Sequence, residues 1–368
     1  MPLSEVFVTV PDPRGARQTR HDLSELLTVA VCAVLCGADD FVDIALWGQS
    51  KLEWLRRFLK LASGIPSHDT FCRVFALLDP EAFEAAFLRW VGVLVPVLAP
   101  GSVVAIDGKT SRRTTSKADQ TPLHMVSAFA AGMGLVLGQR ATEHKSNEIT
   151  AIPELLATLA LEGTIVTIDA MGTQTAIART IRSRGADYVL CVKDNHPKLT
   201  DSIVLALAGA AGPFVPVSQV EETHHGHGRK EVRRCWAYEA VSQLYKAEQW
   251  ADLRTLAVIE RSRTAEGKTS LERHYYLSSL PPDAAKIAHA VRSHWEVENR
   301  LHWSLDVHFN EDQSRLRTGY AANNLAVVRH IVLNLLRFNT SRKASIKSKR
   351  LLACSEDQFR AELLGFMT

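Results

Sequence analysis

Three acidic residues stand where their type and surroundings could do chemistry. Asp107 closes the β-branched run "VVAI" and Asp169 closes "IVTI". Each is therefore expected at the C-terminal end of a buried strand, the end at which open α/β sheets place their sites. Glu298 lies in "SHWEVENRLHWSL". On an ideal helix Val291, Trp295, Glu298, His302 and Leu305 share one face, so this carboxylate points at whatever that face packs against. An unpaired buried carboxylate is costly, and this one must meet a cation, a strong donor or a metal. Each acid alone has a plainer reading: a turn residue for Asp107 and Asp169, a buried salt bridge to an arginine for Glu298. Together they say more. Three converging carboxylates repel one another unless divalent cations lie between them. An all-oxygen ligand set suits Mg²⁺ or Mn²⁺ rather than zinc. Two such ions, about 3.5 to 4 Å apart, activate a water or hydroxyl and stabilise the leaving oxygen in phosphodiester chemistry.

The elements that must position these acids can be read from periodicity. From Asp22 to Leu94 apolar residues recur at three- and four-residue spacing, which predicts a set of helices, with a helix-turn-helix or plain helical packing both open. The texture changes at Pro100-Gly101. "SVVAIDGKT" and "HMVSAFAAGMGLVLGQRATE" read as three strands, the last two around a glycine turn. "EITAIPELLATLALEG" is helical, "TIVTIDAMGTQ" a strand, "TAIARTIRSRG" a helix and "ADYVLCVKDN" a strand, which makes two strand-helix-strand units and an α/β domain with a mixed sheet. From about Pro213 to Leu280 the pattern turns strand-like, with "TAEGKTS" as a hairpin tip. Helix resumes after Pro281-Pro282-Asp283, is expected to run unbroken through "AAKIAHAVRSHWEVENRLHWSL", and is followed by another over about Ala321 to Leu336.

Composition narrows the class. With 368 residues, 46% hydrophobic and 23% charged, the chain can bury a large core and is not disordered. A net charge of +3 neither requires nor excludes nucleic acid, since clustering decides. The basic run "RFNTSRKASIKSKR", Arg337 to Arg350, reads either as a solvated connector or as a contact surface. Six cysteines without a C-x-x-C pair are expected to be reduced and structural, in a cytoplasmic setting. The most apolar stretch, Phe87 to Ile106, holds Arg89, Pro96 and Pro100, so no membrane span is expected.

The segments "GIPSHDTFCRVF", "AIDGKTSR", "HKSNEITAIPELL", "TIDAMGTQTAIARTI", "GADYVLCVKDNHPKL", "HGRKEVRR", "RSHWEVENRLHWSLDVHFNEDQSR" and "NNLAVVRHIVLNLLR" carry a resemblance that spans nearly the whole chain. In order and content the sequence resembles DDE-class insertion-sequence transposases of the ISAs group, which includes the H-repeat-associated proteins. The resemblance implies a ribonuclease-H-like mixed-sheet catalytic core over 99–340, with a β-rich insertion at about 213–280. An all-helical N-terminal domain over 1–98 would precede it, and a basic tail with a short helix over 341–368 would follow. It assigns the triad to Asp107, Asp169 and Glu298, the acids already chosen. In the wider superfamily a tyrosine, an arginine and a lysine surround the glutamate at fixed offsets. Here those positions hold Val291, His294 and Leu305, so His294 is expected to stand in for the arginine, and Arg315 or Arg317 to supply positive charge.

Further cations are candidates for DNA. Lys109 and Lys193 follow strand ends and could contact phosphates, or be merely solvated. In "HGRKEVRR" His227, Arg229, Glu231 and Arg233 alternate onto one strand face, a mostly basic ladder suited to DNA or else salt-bridged within the sheet. His224, His225 and His227 lack a partnered ligand pair for zinc. Trp295 and Trp303 are expected in the core, with stacking on a base as the other reading. The implied activity is metal-dependent cleavage at element ends and transfer of the 3′ hydroxyls into target DNA. Its partners would be terminal repeats, target DNA and a second subunit in a synaptic complex, in a nucleoid-associated setting. A domesticated DNA-binding descendant and a plain ribonuclease-H-like nuclease are the alternatives. "GMGLVLG" resembles a glycine-rich loop but lacks the following helix and lysine of a nucleotide site.

Overall fold

The computed structural model describes residues 3–15, 19–115, 121–142, 147–193, 195–208, 214–226, 228–239 and 241–366. Six helices come first: α1 (Leu3–Phe7), α2 (Leu23–Leu35), α3 (Phe41–Ser50), α4 (Leu52–Leu55), α5 (His68–Leu77) and α6 (Pro80–Leu94). Their starts are written in the sequence. The side chains of Asp22, Asp40, Ser67 and Asp79 each accept from a backbone N–H of the first turn, and Pro80 fills the first position of α6, where no donor is needed.

Strands and helices then alternate: β1 (Val103–Thr110), β2 (His124–Ala130), β3 (Leu135–Thr142), α7 (Glu148–Ala157), β4 (Ile165–Ile168), α8 (Thr175–Ser183), β5 (Asp187–Val192) and α9 (Pro197–Ala208). Four antiparallel strands follow: β6 (Ser218–Gly226), β7 (Arg229–Tyr238), β8 (Thr255–Ala265) and β9 (Lys268–Ser278). All nine form one mixed sheet in the order β3-β2-β1-β4-β5-β9-β8-β7-β6. β1, β4 and β5 are parallel neighbours, and β9 joins β5 antiparallel. The strand-rich segment thus interrupts the α/β pattern in sequence while extending the same sheet in space.

The chain closes with α10 (Ala284–Glu296), a π-helical turn (Val297–His302), α11 (Trp303–Phe309), α12 (Ala321–Phe338), α13 (Ile346–Ser355) and α14 (Asp357–Leu363). α10 lies across β1, β4 and β5, and α12 packs on α2, α5, α6 and β3. Buried apolar residues of α1–α6, the sheet, α12 and α14 make one continuous core, in which Leu27, Phe75, Val104, Leu190 and Leu333 are members. The basic run around α13 is partly drawn into this core. Lys349 is buried and donates to the carbonyls of Leu336 (2.8 Å) and Asn339 (2.6 Å), while Arg350 lies 4.5 Å over the Phe309 ring.

Candidate active site

Parallel pairing of β1 with β4 sets Ile106 beside Ile168, so Asp107 and the residue after β4, Asp169, come level on adjoining strands. Neither carboxylate reaches a lysine or arginine among the described ion pairs. Burial, then Asp169, Glu298 and Glu148, push the Asp107 carboxyl up to about 7 against the pull of the Gly108 backbone N–H. Asp169 also does the turn work open to it, accepting at one oxygen from the N–H groups of Met171 (3.1 Å) and Gly172 (3.4 Å).

Glu298 departs from its expected face. The helix does not run straight through: Val297–His302 form a π turn, which rotates everything after α10 relative to an ideal helix. Val297, Leu301 and Leu305 are buried instead, and Glu298 is exposed while close enough to act on Asp107. The turn is pinned from outside. Arg300 donates to the carbonyl of Ala131 (2.9 Å) and to Glu296 (2.6 Å), and Arg337 donates to the carbonyls of Arg300 and Gly134. Gly134 has a left-handed backbone (φ 73°), and a Cβ there would sit 2.3 Å from the Arg300 guanidinium. Both tryptophans lie outside the core: Trp295, still within α10, is 50% exposed and Trp303, after the turn, 53%. His302, by contrast, turns inward, with Nδ1 3.5 Å from Asp107 Oδ2 and Nε2 buried without a partner among the described residues.

The expected cations divide. His294 is half-buried against β4, with Nδ1 3.0 Å from Thr167 Oγ1, and burial pulls its pKa down to about 4, which leaves the ring neutral near pH 7, unlike an arginine. Lys109 is not free for phosphate either. Only 10% of its side chain is exposed, and Nζ meets Asp306 (2.7 Å), Glu311 (3.1 Å) and Asp312 (3.2 Å). Arg233 is held by Glu231 (2.5 Å), which Arg261 also contacts (3.1 Å), so this part of the ladder is salt-bridged within the sheet. Lys193, just past β5, and Arg229 are exposed. Arg315 and Arg317 are exposed before α12, Arg317 donating to the carbonyl of Arg113 (3.1 Å). His227 lies outside the described residues.

Periodicity alone gave no sign of a buried chain behind Asp107. Thr110 Oγ1 meets His124 Nδ1 at 2.7 Å, and His124 Nε2 meets Glu148 Oε1 at 2.6 Å. A Cβ on Gly108 would sit 2.3 Å from Glu148 Oε1 and 2.5 Å from His124 Nε2, so only glycine fits beside Asp107. A cleft of about 780 Å³ between Asp79, Glu84, Arg140, Arg317 and Tyr320 is not lined by any of the three acids.

By donor type the paired aspartates suit a hard cation, and Asp107 gains most from one, because a nearby positive charge would relieve its repulsion by Asp169 and Glu298. Geometry is less complete. Among the described residues no three His, Cys, Asp or Glu side chains form a ready ligand group, so Glu298 would have to swing toward the pair to complete one. No helix among the described residues is long and apolar enough to cross a membrane.

Comparison with known proteins bears on the whole chain. Residues 4–91 match a family described as DDE_Tnp_1-associated, and residues 98–335 match one described as Transposase DDE domain. "Putative transposase YncI" of Escherichia coli O157:H7 is 38% identical, across 100% of this chain and 98% of that protein. "H repeat-associated putative transposase YhhI" of Escherichia coli K12 is 36% identical, across 99% of this chain and 97% of its own. A piggyBac transposase synaptic complex with hairpin DNA aligns with a TM-score of 0.45 at 10% identity, over 99% of this chain and 76% of that one, too weak a likeness to fix the fold.

Proposed function

The chain belongs to the transposase DDE domain family, and from that premise we propose that it cuts DNA at the ends of an insertion element and joins the freed 3′ hydroxyls to target DNA. One observation carries the reading: Asp107 and Asp169 lie level at the ends of adjoining parallel strands, with Asp107 pushed up to about 7 by burial, Asp169 and Glu298. Support comes from the sheet. An antiparallel β1-β2-β3 meander continued by parallel β4 and β5 has the order 3-2-1-4-5 of a ribonuclease-H-like core.

In this reading Asp107, Asp169 and Glu298 hold divalent cations, Mg²⁺ or Mn²⁺, and two of them would supply an activated oxygen nucleophile and stabilise the leaving oxygen. The rest falls to the chain. The Thr110–His124–Glu148 line fixes the backbone of β1 behind Asp107. Glu298, exposed in the π turn, would swing toward the aspartates to complete the set. Exposed Lys193, Arg315 and Arg317 are left to meet phosphates, together with Arg229 on the outer sheet; Lys109, His294 and Arg233 are engaged elsewhere. Paired cutting requires two subunits on two terminal repeats, a reaction of the nucleoid.

The test is cleavage of DNA carrying the flanking ends with Mg²⁺ or Mn²⁺, comparing wild type with Asp169→Asn and Glu298→Gln. Metal-dependent nicking at the ends, lost in both variants while binding persists, is expected. Binding without cutting by the wild type would favour a DNA-binding descendant, and cutting without joined products a nuclease.

A further inference from the structure

The two edges of the sheet are treated differently. An uncovered edge strand is a row of unpaired N–H and C=O groups that invites another strand. At the β3 edge that invitation is withdrawn by α12. Asn334 Oδ1 accepts from the Val136 N–H (2.9 Å), and its Nδ2 donates to the Val136 carbonyl (2.8 Å), so one side-chain amide imitates a neighbouring strand. Gln139 on the same strand is met by His330.

Nothing comparable covers β6. It is the last strand in the order, and among the described residues no strand pairs with its outer side. Residues 221–226 are exposed on both faces of the sheet. α10 touches the strand from one face only, where Arg292 donates to Glu222 (3.0 Å) and meets His224 Nε2 (2.9 Å).

We propose that Ser218–Gly226 is an association surface for a second copy of this chain, whose own β6 pairs with it antiparallel about a two-fold axis at Thr223. The inference rests on the paired-subunit reading above and names where the pair meets. The position of the axis follows from the backbone and the charges. Outward-facing backbone groups alternate along a strand, so an antiparallel two-fold must pass through a residue and not between two. About Thr223, Glu221 falls opposite His225 and Glu222 opposite His224, and each acid meets an imidazole on both sides of the axis. A shift of the axis by one residue to Glu222 would set that acid against its own copy. Like charges directly opposite are destabilising, which disfavours that register. The contact is self-complementary, as a two-fold dimer requires.

The experiment uses the full chain, with and without end DNA, in a Cys354→Ser background that removes the exposed thiol. Thr223→Cys would place two thiols across the axis, and Thr269→Cys, exposed on β9, serves as control. Under mild oxidation the first is expected to give a covalent dimer and the second not. In sedimentation, Glu222→Lys should weaken the dimer by roughly fivefold or more, because two symmetric pairs are lost, and adding His224→Glu should restore it. A dimer that neither cross-links at Thr223 nor responds to Glu222→Lys overturns this interface and leaves the paired-subunit reading standing. A chain that stays monomeric with and without DNA overturns both.

Discussion

A carboxyl pushed up to about 7 makes Asp107 a proton binder near neutrality unless a cation displaces the proton. The consequence for stability has a definite sign. The unfolded chain ionises near the ordinary value of 3.8, while the folded carboxyl holds its proton until about 7, so metal-free stability falls between those limits and is level above them. Three pKa units correspond to about 4 kcal/mol at most. Asp107→Asn has no such loss. In urea titrations with a chelator present, its stability relative to wild type should improve on going from pH 4 to pH 8, by up to about 4 kcal/mol. A difference that does not change with pH would mean that burial and the neighbouring carboxylates do not hold the proton on Asp107. The two lysines give a second contrast. Lys109→Ala leaves Asp306, Glu311 and Asp312 without their shared cation and should cost about 3 kcal/mol or more of stability. Lys193→Ala should change stability by less than about 0.5 kcal/mol. It should instead lower the salt dependence of DNA binding by about one phosphate contact. Comparable melting of both variants would sink the distinction. Asp107 and Asp169 were legible because β-branched runs mark the strands they close. That Lys109 is caged was not, since its three partners lie about 200 residues further on and only the fold brings them near.

At the scale of the element, the π turn explains why a helical period misplaced Glu298. Spacing of 3.6 residues per turn put Glu298 with Val291 and Leu305; the wider turn replaces it by Val297 and Leu301. No local residue announces this. The cause is tertiary: Arg337 from α12 takes the Arg300 carbonyl, and Arg300 reaches the β2–β3 turn where Gly134 leaves room. A π turn amounts to one extra residue in a helix, so removing one should restore regular winding. Deletion of exposed Asn299 is expected to leave a folded protein with wild-type DNA affinity that no longer nicks element ends, since Glu298 is rotated away from the aspartates. Circular dichroism and the cleavage assay decide it. Retained nicking would show that the turn has no part in placing the acid. The caps of α2, α3, α5 and α6, by contrast, depend only on residues adjacent in sequence.

Across the whole molecule the helical N-terminal residues, the sheet and helices α12 to α14 bury one core, while α10 covers a second, smaller cluster with Val103, Ile165 and Val189. Sequence texture changes sharply at Pro100-Gly101 and invites a boundary there, yet texture reports local structure and not which surfaces share a core. The C-terminal return shows the coupling. Arg360 on α14 is fully buried, 3.9 Å over the Trp54 ring of α4, and donates to the Ala353 carbonyl at 2.8 Å. Its guanidinium has no water to return to, so Arg360→Ala should cost roughly 3 kcal/mol, and Arg360→Met, which keeps the packing volume, less. If the core is continuous, that loss is felt everywhere: calorimetry of the wild type should give a single transition, and Arg360→Ala should move it down as one. Residues 99–340 produced alone would expose the faces of β3 and α12 that α2, α5 and α6 cover, and should not give a cooperative transition. Two transitions in the full chain, with only the earlier one lowered by Arg360→Ala, would instead make the N-terminal helices and the C-terminal return a unit of their own that folds apart from the sheet.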